Sequence, residues 1–236
     1  MPASALSIVI PCLNEAAIVR QRLSALQGLR ERGHQLILVD GGSDDGTPDL
    51  AAGLVDQLLA SPAGRARQMN CGAEAAEGAA LWFLHLDTEV PADADQLILK
   101  ALEHRLWGRF DVRLSGRQTA FRVIEWMMNR RSCLTGIATG DQGVFVRRNR
   151  FEQVRGYPRI ELMEDIALSR RLKRQGPPAC IKTPLRTSSR RWETHGIVRT
   201  VVLMWSLRLA YFLGASPAFL ARRYPSCPTD SPKHGC

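Results

Sequence analysis

Three short apolar runs, each followed at once by polar and glycine residues, constrain the fold of this chain most strongly. They are LSIVIP (6–11), LILV (36–39) and ALWFLHLD (80–87), and the stretches between them carry helical patterns. Continuous apolar strands that alternate with helices are typical of a parallel sheet covered on both faces. The sequence therefore predicts an α/β fold with a mostly parallel central sheet. Such sheets bind ligands in the loops at the carboxyl ends of their strands.

The rest of the chain predicts further elements within a single domain. Helices are expected after Asn14 and at 47–59, 120–131 and 162–176, an edge strand at 110–115 and a short strand at 143–148. With 236 residues the chain can bury one sizeable core, and we expect one domain over residues 1–224. The Pro- and Ser-rich stretch 225–236 predicts a disordered tail.

The charge is distributed unevenly along the chain. Residues 1–103 carry 7 Lys and Arg against 14 Asp and Glu, whereas residues 104–236 carry 25 against 9. A strongly basic second half predicts an anionic partner, and nucleic acid, an anionic membrane surface and a phosphorylated substrate all satisfy that prediction. The apolar fraction of 45% excludes a chain that is mainly disordered.

The cysteines and the apolar segments bear on cellular location. Six cysteines are scattered without C-x-x-C spacing, which predicts reduced thiols in a cytoplasmic protein. The N-terminal residues have no basic region and only a short apolar run, so no secretory signal is expected. The most apolar stretch, 201–221, is interrupted by Arg208 and Pro217, so no transmembrane helix is expected.

Acidic residues cluster where the three apolar strands end. The clusters are Asn14–Glu15, Asp40 to Asp45, and His85, Asp87 and Glu89. Each cluster alone is explained by a helix cap or a turn. Three such clusters on one edge of a sheet favour a functional site instead. Converging carboxylates repel one another unless a positive charge lies between them. The pattern therefore predicts bound Mg²⁺ or Mn²⁺, with Asp87 as the best single ligand.

Six motifs, taken in order, resemble a known family. They are SIVIPCLNE, VDGGSDDGT, GRARQMNCGA, LWFLHLDTEVP, GDQGVFVRR and LMEDIALSRRL. They resemble inverting family-2 glycosyltransferases of the GT-A fold over about residues 6–215, and most closely a bacterial subgroup whose metal motif reads HADT, here HLDT. The resemblance implies transfer of a sugar from a UDP- or GDP-linked donor to an acceptor hydroxyl. It also implies a nucleotide-binding half over about 6–103 and an acceptor half, helical at its C-terminal end, over about 104–224.

The resemblance assigns a nucleotide site to the loops after the first two strands and to the next helix. Carboxylates accept hydrogen bonds from sugar hydroxyls, and guanidinium groups suit phosphate oxygens. The two arginines of this helix are also compatible with solvated helix charges. The residues implied are Pro11, Leu13, Asn14, Glu15 and Asp40 for the base and ribose, Gly41, Gly42 and Ser43 for close backbone approach, and Arg65, Arg67, Gln68 and Asn70 for the pyrophosphate and donor sugar.

The metal motif departs from the common family pattern. Its first Asp is His85 here, which the resemblance places beside the donor sugar, and Asp87 is left as the main expected ligand of Mg²⁺ or Mn²⁺. The resemblance implies His195 as a second ligand, and a lone surface histidine is the competing interpretation.

Glu164 and Asp165 match the family's Glu-Asp motif at the start of an acceptor-side helix. The resemblance implies that Asp165 is the general base and that the acceptor oxygen attacks opposite the leaving nucleotide, which inverts the anomeric carbon. Acidic residues there would also favour the helix N-terminus electrostatically. Further residues implied for the donor-sugar and acceptor site are Asp141, Gln142, Arg190, Arg191 and Trp192, the last of which is also compatible with a place in the core.

The segment 197–223 is apolar around most of its circumference and carries four arginines. It predicts a core or docking helix, or alternatively peripheral contact with anionic lipid at the inner face of the membrane.

A non-catalytic nucleotide-sugar-binding protein is the alternative to an enzyme. No nucleic-acid-binding module is recognisable, so no such partner is expected, and the glycine-rich phosphate loop of a nucleotidyltransferase is missing. The donor sugar and the acceptor stay open.

Overall fold

A seven-stranded, mostly parallel sheet takes strands from both halves of the chain. The computed structural model describes residues 5–224. Strand β6 is antiparallel to both of its neighbours, and the other pairings are parallel. The order across the sheet is β3-β2-β1-β4-β6-β5-β7. The strands are β1 (Leu6–Cys12), β2 (Gln35–Asp40), β3 (Gln57–Ala60), β4 (Ala80–Phe83), β5 (Trp107–Leu114), β6 (Phe145–Arg147) and β7 (Ala179–Thr187).

Helices flank the sheet and form most of the chain after β7. Those predicted at 120–131 and 162–176 are confirmed, and a 3₁₀ turn lies at Gly140–Gln142. Within residues 5–224 the helices are α1 (Ala16–Ala25), α2 (Gln27–Glu31), α3 (Thr47–Ala51), α4 (Arg65–Glu74), α5 (Ala94–His104), α6 (Thr119–Thr135), α7 (Arg148–Gln153), α8 (Glu164–Lys173), α9 (Arg190–His195), α10 (Ile197–Phe212) and α11 (Pro217–Arg223).

The sheet is buried on both faces, as the continuous apolar strands predict. Along β1, Ile8 and Ile10 belong to one core and Val9 to the other, because successive strand residues point to opposite faces. Helix α4 approaches β1 closely at Gly72, where a Cβ atom would lie 2.4 Å from Val9 Cγ1. This close contact places the first turn of α4 beside the ends of β1 and β2.

Two predictions of secondary structure are wrong. The helix expected over 47–59 ends at Ala51, because Gly53 takes a positive φ of 78° and the chain then extends as β3 beside β2. The strand at 110–115 is not an edge strand, since β5 lies between β6 and β7 and Phe110 is fully buried. The edge strand on that side is β7, which the sequence did not predict. Its partly exposed residues and Pro184 hide the strand pattern.

The prediction of reduced thiols is wrong for one pair of cysteines. Cys133 in α6 and Cys180 in β7 form a disulfide, with their Cα atoms 5.9 Å apart. The two lie 47 residues apart in the sequence, and they meet because α6 packs on β5, which pairs with β7. Cys12 and Cys71 have free thiols, and the other two cysteines lie beyond the described residues.

Two remaining expectations concern the membrane and the tail. None of the helices found between residues 5 and 224 is long and apolar enough to cross a membrane. The tail predicted over 225–236 lies outside the described residues.

Candidate active site

Two loops at the carboxyl ends of β1 and β2 are joined by hydrogen bonds. The Asn14 N–H donates to Ser43 Oγ at 2.9 Å, and the Asp44 N–H donates to Asn14 Oδ1 at 3.0 Å. The Glu15 N–H donates to Thr47 Oγ1 at 2.9 Å. Asn14 takes a φ of 53°, a left-handed conformation that Asn tolerates. We call residues 11–16 and 40–47 the donor rim.

Asp40, the last residue of β2, supports the donor rim from below. It is buried, and its Oδ2 accepts the N–H groups of Gly42 and Ser43, both at 2.9 Å. Burial alone would raise the pKa of Asp40, but the hydrogen bonds from Ser43 and Gly42 outweigh it and hold the pKa below its usual value. Asp40 therefore stays charged and orients the glycine loop that is predicted to approach the nucleotide.

Two side chains predicted to face the pyrophosphate and donor sugar are hydrogen-bonded to the protein backbone. Gln68 is buried and donates to the carbonyl oxygens of Cys12 and Val39 at 2.7 and 2.9 Å, which ties α4 to the ends of β1 and β2. Asn70 donates to the carbonyl oxygen of Tyr157 and accepts its N–H, both at 2.9 Å. In these positions both residues support the surroundings of the site.

The first turn of α4 presents two exposed arginines that differ in their electrostatic surroundings. The charge of Arg65 lowers the pKa of Glu15 against the larger effects of burial and of Asp87, which raise it. Arg65 also opposes the burial that raises the pKa of Glu164. The charge of Arg67 is not among the main causes of either shift. Arg65 is thus the arginine of this turn that acts on the acidic cluster.

The tip of β4 and the start of α8 meet at Gly140. A Cβ atom added to Gly140 would lie 2.6 Å from His85 Nε2, and that nitrogen is buried with no hydrogen-bond partner among residues 5–224. Asp165 reaches the same backbone, because its Oδ2 accepts the Gly140 N–H at 3.0 Å. Burial and the charge of Arg65 lower the pKa of His85, and the charges of Asp141, Asp87 and Asp165 oppose that shift. The charges of three carboxylates from different elements therefore act on one imidazole.

Helix α8 begins with two carboxylates in different environments. Glu164 is 6% exposed, and burial, with the charge of Asp165 adding to it, raises the pKa of Glu164 to about 7. Asp165 is partly exposed, and its Oδ1 accepts the Ile166 N–H at 2.7 Å. Glu164 therefore binds a proton more readily than a carboxylate in water does, and Asp165 is the member of the pair that a ligand can reach.

The 3₁₀ turn after Thr139 separates the roles of its two predicted site residues. Gln142 is fully buried, donates to Ser132 Oγ at 2.9 Å and accepts the Thr139 N–H at 3.2 Å. These bonds fix the turn from inside. Asp141 is partly exposed, and its charge acts on His85, where it opposes the lowering of the pKa by burial. Asp141 therefore lines the site, and Gln142 holds the turn in place.

Asp87, the predicted metal ligand, lies beyond the end of β4 and is partly exposed. Among the described residues, no group of three His, Cys, Asp or Glu side chains could hold a metal ion by itself. Mg²⁺ is often held by one or two carboxylates together with substrate phosphates. Asp87 fits an ion bound in that way. His195 ends α9, and its Nε2 is buried with no partner in residues 5–224.

Helix α9 carries the basic and aromatic residues predicted for the donor-sugar and acceptor site. Arg190 is exposed and lowers the pKa of Glu15 against the dominant effect of burial. Trp192 is partly buried, and the side chain of Arg191 lies outside the described part of the structure. Arg190 therefore acts on the same carboxylate as Arg65.

Sequence reasoning missed Gly140 and misplaced Glu89. The only signal for Gly140 was its place before the Asp of a turn, and its role appears once β4 and α8 are brought together. Glu89, counted among the converging acids, pairs instead with Arg22 at 2.9 Å and with Arg186 at 3.7 Å. Its backbone also pairs with that of Arg186. Glu89 thus fastens the segment after β4 to β7.

Comparisons with known proteins agree with this fold. Residues 7–155 match the sequence profile of Glycosyl transferase family 2. Solved structures with a similar fold include TarS residues 1–349 of S. aureus in complex with UDP-GlcNAc, at 14% identity and a TM-score of 0.61 over 78% of this chain and 58% of that chain. Mannosyltransferase PcManGT from Pyrobaculum calidifontis in complex with GDP-Man and Mn²⁺ matches at 18% identity and a TM-score of 0.64 over 96% and 66%.

A third similar structure is glucosyl-3-phosphoglycerate synthase from Mycobacterium tuberculosis with Mg²⁺ and UDP, at 18% identity and a TM-score of 0.58 over 79% and 70%. The chain thus spans less than two thirds of TarS 1–349 and of PcManGT. No protein of curated function matches it by sequence.

The fold and the acidic edge of the sheet define an α/β protein of the GT-A type, which confirms the predicted fold class. The profile match extends over more than half of the chain, and the chain belongs to glycosyltransferase family 2.

Proposed function

We propose that this protein transfers a sugar from a UDP- or GDP-sugar to an acceptor hydroxyl with inversion. The observation that supports this best is the convergence of Asp87, Asp141 and Asp165 around His85, beside the donor rim. The TarS structure contains UDP-GlcNAc and the PcManGT structure contains GDP-Man, and both share this fold. A nucleotide-sugar donor is consistent with a rim built from backbone N–H groups and carboxylates.

The donor rim is proposed to bind the nucleotide. Hydrogen bonds already fix the backbone of Asn14, Gly42 and Ser43, so that little order has to be gained when the nucleotide binds. Leu13 is 41% exposed and can cover the base. The diphosphate lies toward Arg65, since guanidinium groups form paired hydrogen bonds with phosphate oxygens.

Asp165 is the proposed general base. Its Oδ2 is held by the Gly140 N–H at 3.0 Å, which fixes the direction of the carboxylate. It accepts the proton of the acceptor hydroxyl while that oxygen attacks the anomeric carbon and the bond to the nucleoside diphosphate breaks. Burial, with the charge of Asp165 adding to it, raises the pKa of the neighbouring Glu164 to about 7, so Glu164 is partly protonated near neutral pH.

Asp87 is the proposed protein ligand of Mg²⁺ or Mn²⁺. The PcManGT structure contains Mn²⁺, and the glucosyl-3-phosphoglycerate synthase structure contains Mg²⁺. Such an ion would neutralise charge on the diphosphate. Arg65 and Arg190 add positive charge near Glu15. The role of His195 as a second ligand stays a prediction.

Replacement of Asp165 by Asn tests the proposal and separates an enzyme from a non-catalytic binder. We expect transfer to fall on the order of 10²- to 10⁴-fold, measured as release of UDP or GDP from UDP- and GDP-sugars with Mn²⁺. Binding of UDP or GDP, measured by calorimetry, should persist. The matched control is Glu161→Gln, which removes an exposed charge nearby and should keep activity. Equal release by wild type and D165N would contradict the role of this residue.

Contact with an anionic membrane and a cytoplasmic location belong to the same proposal. The basic second half of the chain supports the first. The second stays a prediction, and the Cys133–Cys180 disulfide counts against it, since disulfides are rare in reducing compartments.

A further inference from the structure

Helix α10 exposes an apolar stripe along one face. Val198, Val202, Trp205, Leu209 and Phe212 follow one another at spacings of four, three, four and three residues, and each is at least 59% exposed. Residues spaced in this way lie on one side of a helix. With a rise of 1.5 Å per residue the stripe is about 21 Å long. We call these five residues the α10 stripe.

The opposite side of α10 is packed against the acceptor side of the molecule. Leu207 is 3% exposed and shares a small core with Ile166 of α8 and Leu220 of α11. The guanidinium of Arg170 of α8 lies over the ring of Tyr211, which packs against the same small core, at 5.3 Å. Helix α10 is therefore packed on the protein through its buried face. The α10 stripe lies on the other face and stays exposed to solvent.

The surroundings of the α10 stripe are basic. Residues 194–224 contain four arginines and no Asp or Glu. Arg223 lies over the ring of Phe219 at 4.4 Å, and Phe219 is 46% exposed. On an interfacial helix a phenylalanine ring is buried at the boundary of headgroups and acyl chains, and a guanidinium group beside it meets lipid phosphates.

Charge and composition distinguish three candidates for covering the α10 stripe: a second copy of the chain, its C-terminal residues and a membrane. In a two-fold dimer the stripe would meet itself and would bring the same arginines together. Residues 225–236 contain no Leu, Ile, Val, Met, Phe, Tyr or Trp to cover it. An anionic bilayer offers apolar chains to the stripe and negative phosphates to the arginines. We infer that α10 lies in the plane of an anionic membrane surface with its stripe inserted.

This orientation has a consequence for the acceptor, which rests on the proposed function. Ile166 follows Asp165 directly, and it packs in the same small core as Leu207 of α10. Docking through α10 would therefore hold Asp165 on the membrane side of the protein. The acceptor hydroxyl is accordingly assigned to a lipid or a lipid-linked saccharide.

Vesicle binding tests the inference without any donor or acceptor. The protein is sedimented with phosphatidylcholine vesicles that contain phosphatidylglycerol, and with pure phosphatidylcholine vesicles. We expect binding to the anionic vesicles, and at least about tenfold weaker partitioning for the double change Trp205→Ser and Leu209→Ser, because two apolar side chains no longer insert. The change Arg222→Gln with Arg223→Gln should weaken binding about fivefold or more.

The matched control is Leu58→Ser, which alters a side chain that is 40% exposed on β3, at the other edge of the sheet from β7. It should bind as wild type does. Absence of binding at low salt, or unchanged binding by the Trp205 and Leu209 variant, would overturn the inference. The inference would also be overturned if sedimentation velocity showed that the wild-type protein is a dimer and that the Trp205 and Leu209 variant is a monomer. UDP and GDP titrations without vesicles test the donor rim separately. A failure of the proposed function is therefore distinguishable from a failure of membrane binding.

Discussion

The donor rim and the acceptor side position their functional groups by different means. In the donor rim, hydrogen bonds such as that from the Asn14 N–H to Ser43 Oγ fix the backbone, and Gln68 joins α4 to the strand ends. On the acceptor side, α8, α10 and α11 share a small apolar core around Leu207. The difference teaches that the proposed nucleotide site is preorganised locally, whereas the place of Asp165 depends on how helices pack over a long stretch of chain.

The two regions also differ in the surface that they leave exposed. The donor rim presents mainly polar and charged groups, while α10 presents its apolar stripe to solvent. A polar surface is stable in water and does not by itself indicate a partner larger than a small ligand. An exposed apolar surface of this kind indicates a larger partner.

Removal of the disulfide should destabilise the acceptor half and spare the donor rim. Closing a loop across 47 residues stabilises a protein by about 4 kcal/mol in the chain-entropy model. We expect the double change Cys133→Ala and Cys180→Ala to lower the free energy of unfolding by about that amount in urea titrations, with UDP or GDP affinity retained. The control Cys71→Ala alters a free thiol and should change stability much less. Unchanged unfolding of wild type on reduction would contradict this prediction.

The pKa of Glu164 predicts a pH dependence of stability on the acceptor side. Its pKa is raised from 4.5 to about 7 on folding, so the folded state binds more protons between these values. The stability from this group is full below pH 4.5 and is lost as pH rises through 7. Relative to wild type, Glu164→Gln should therefore gain up to about 3 kcal/mol between pH 4.5 and pH 8.

The measurement is urea unfolding of wild type and E164Q across that pH range. Glu161→Gln removes an exposed carboxylate close by in the sequence and should run parallel to wild type. A constant difference between wild type and E164Q at all pH values would show that Glu164 titrates normally in the folded protein.

Local patterns predicted much of the fold and the donor rim. The apolar runs of β1, β2 and β4 are continuous and end in turn residues, so their positions and the loops after them follow from the sequence alone. The edge strand β7 and the Cys133–Cys180 pair did not follow, because both depend on which strand lies beside β5. These are contacts between residues far apart in the sequence.

The candidate site shows the same limit in its individual side chains. The sequence pattern predicted Asp87 at the edge of the sheet, and the family resemblance placed Asp165 at the start of a helix. Neither could tell that Gln68 and Gln142 turn inward to satisfy buried groups. An amide suits a sugar hydroxyl and a backbone carbonyl equally well. Only the packing of α4 and the 3₁₀ turn decides between them.

The smallest effect expected here distinguishes the two arginines of α4, at the border of the donor rim. Arg65 acts on Glu15 and Glu164, whereas Arg67 acts on neither. A charge-assisted hydrogen bond to phosphate contributes about 1.5 kcal/mol or more, which corresponds to about a tenfold change in affinity. We expect Arg65→Met to weaken UDP or GDP binding about tenfold by calorimetry, and Arg67→Met to stay within about twofold of wild type. Equal losses for both variants would mean that the diphosphate responds to the general charge of α4, and the donor rim would then lack a defined phosphate contact at Arg65.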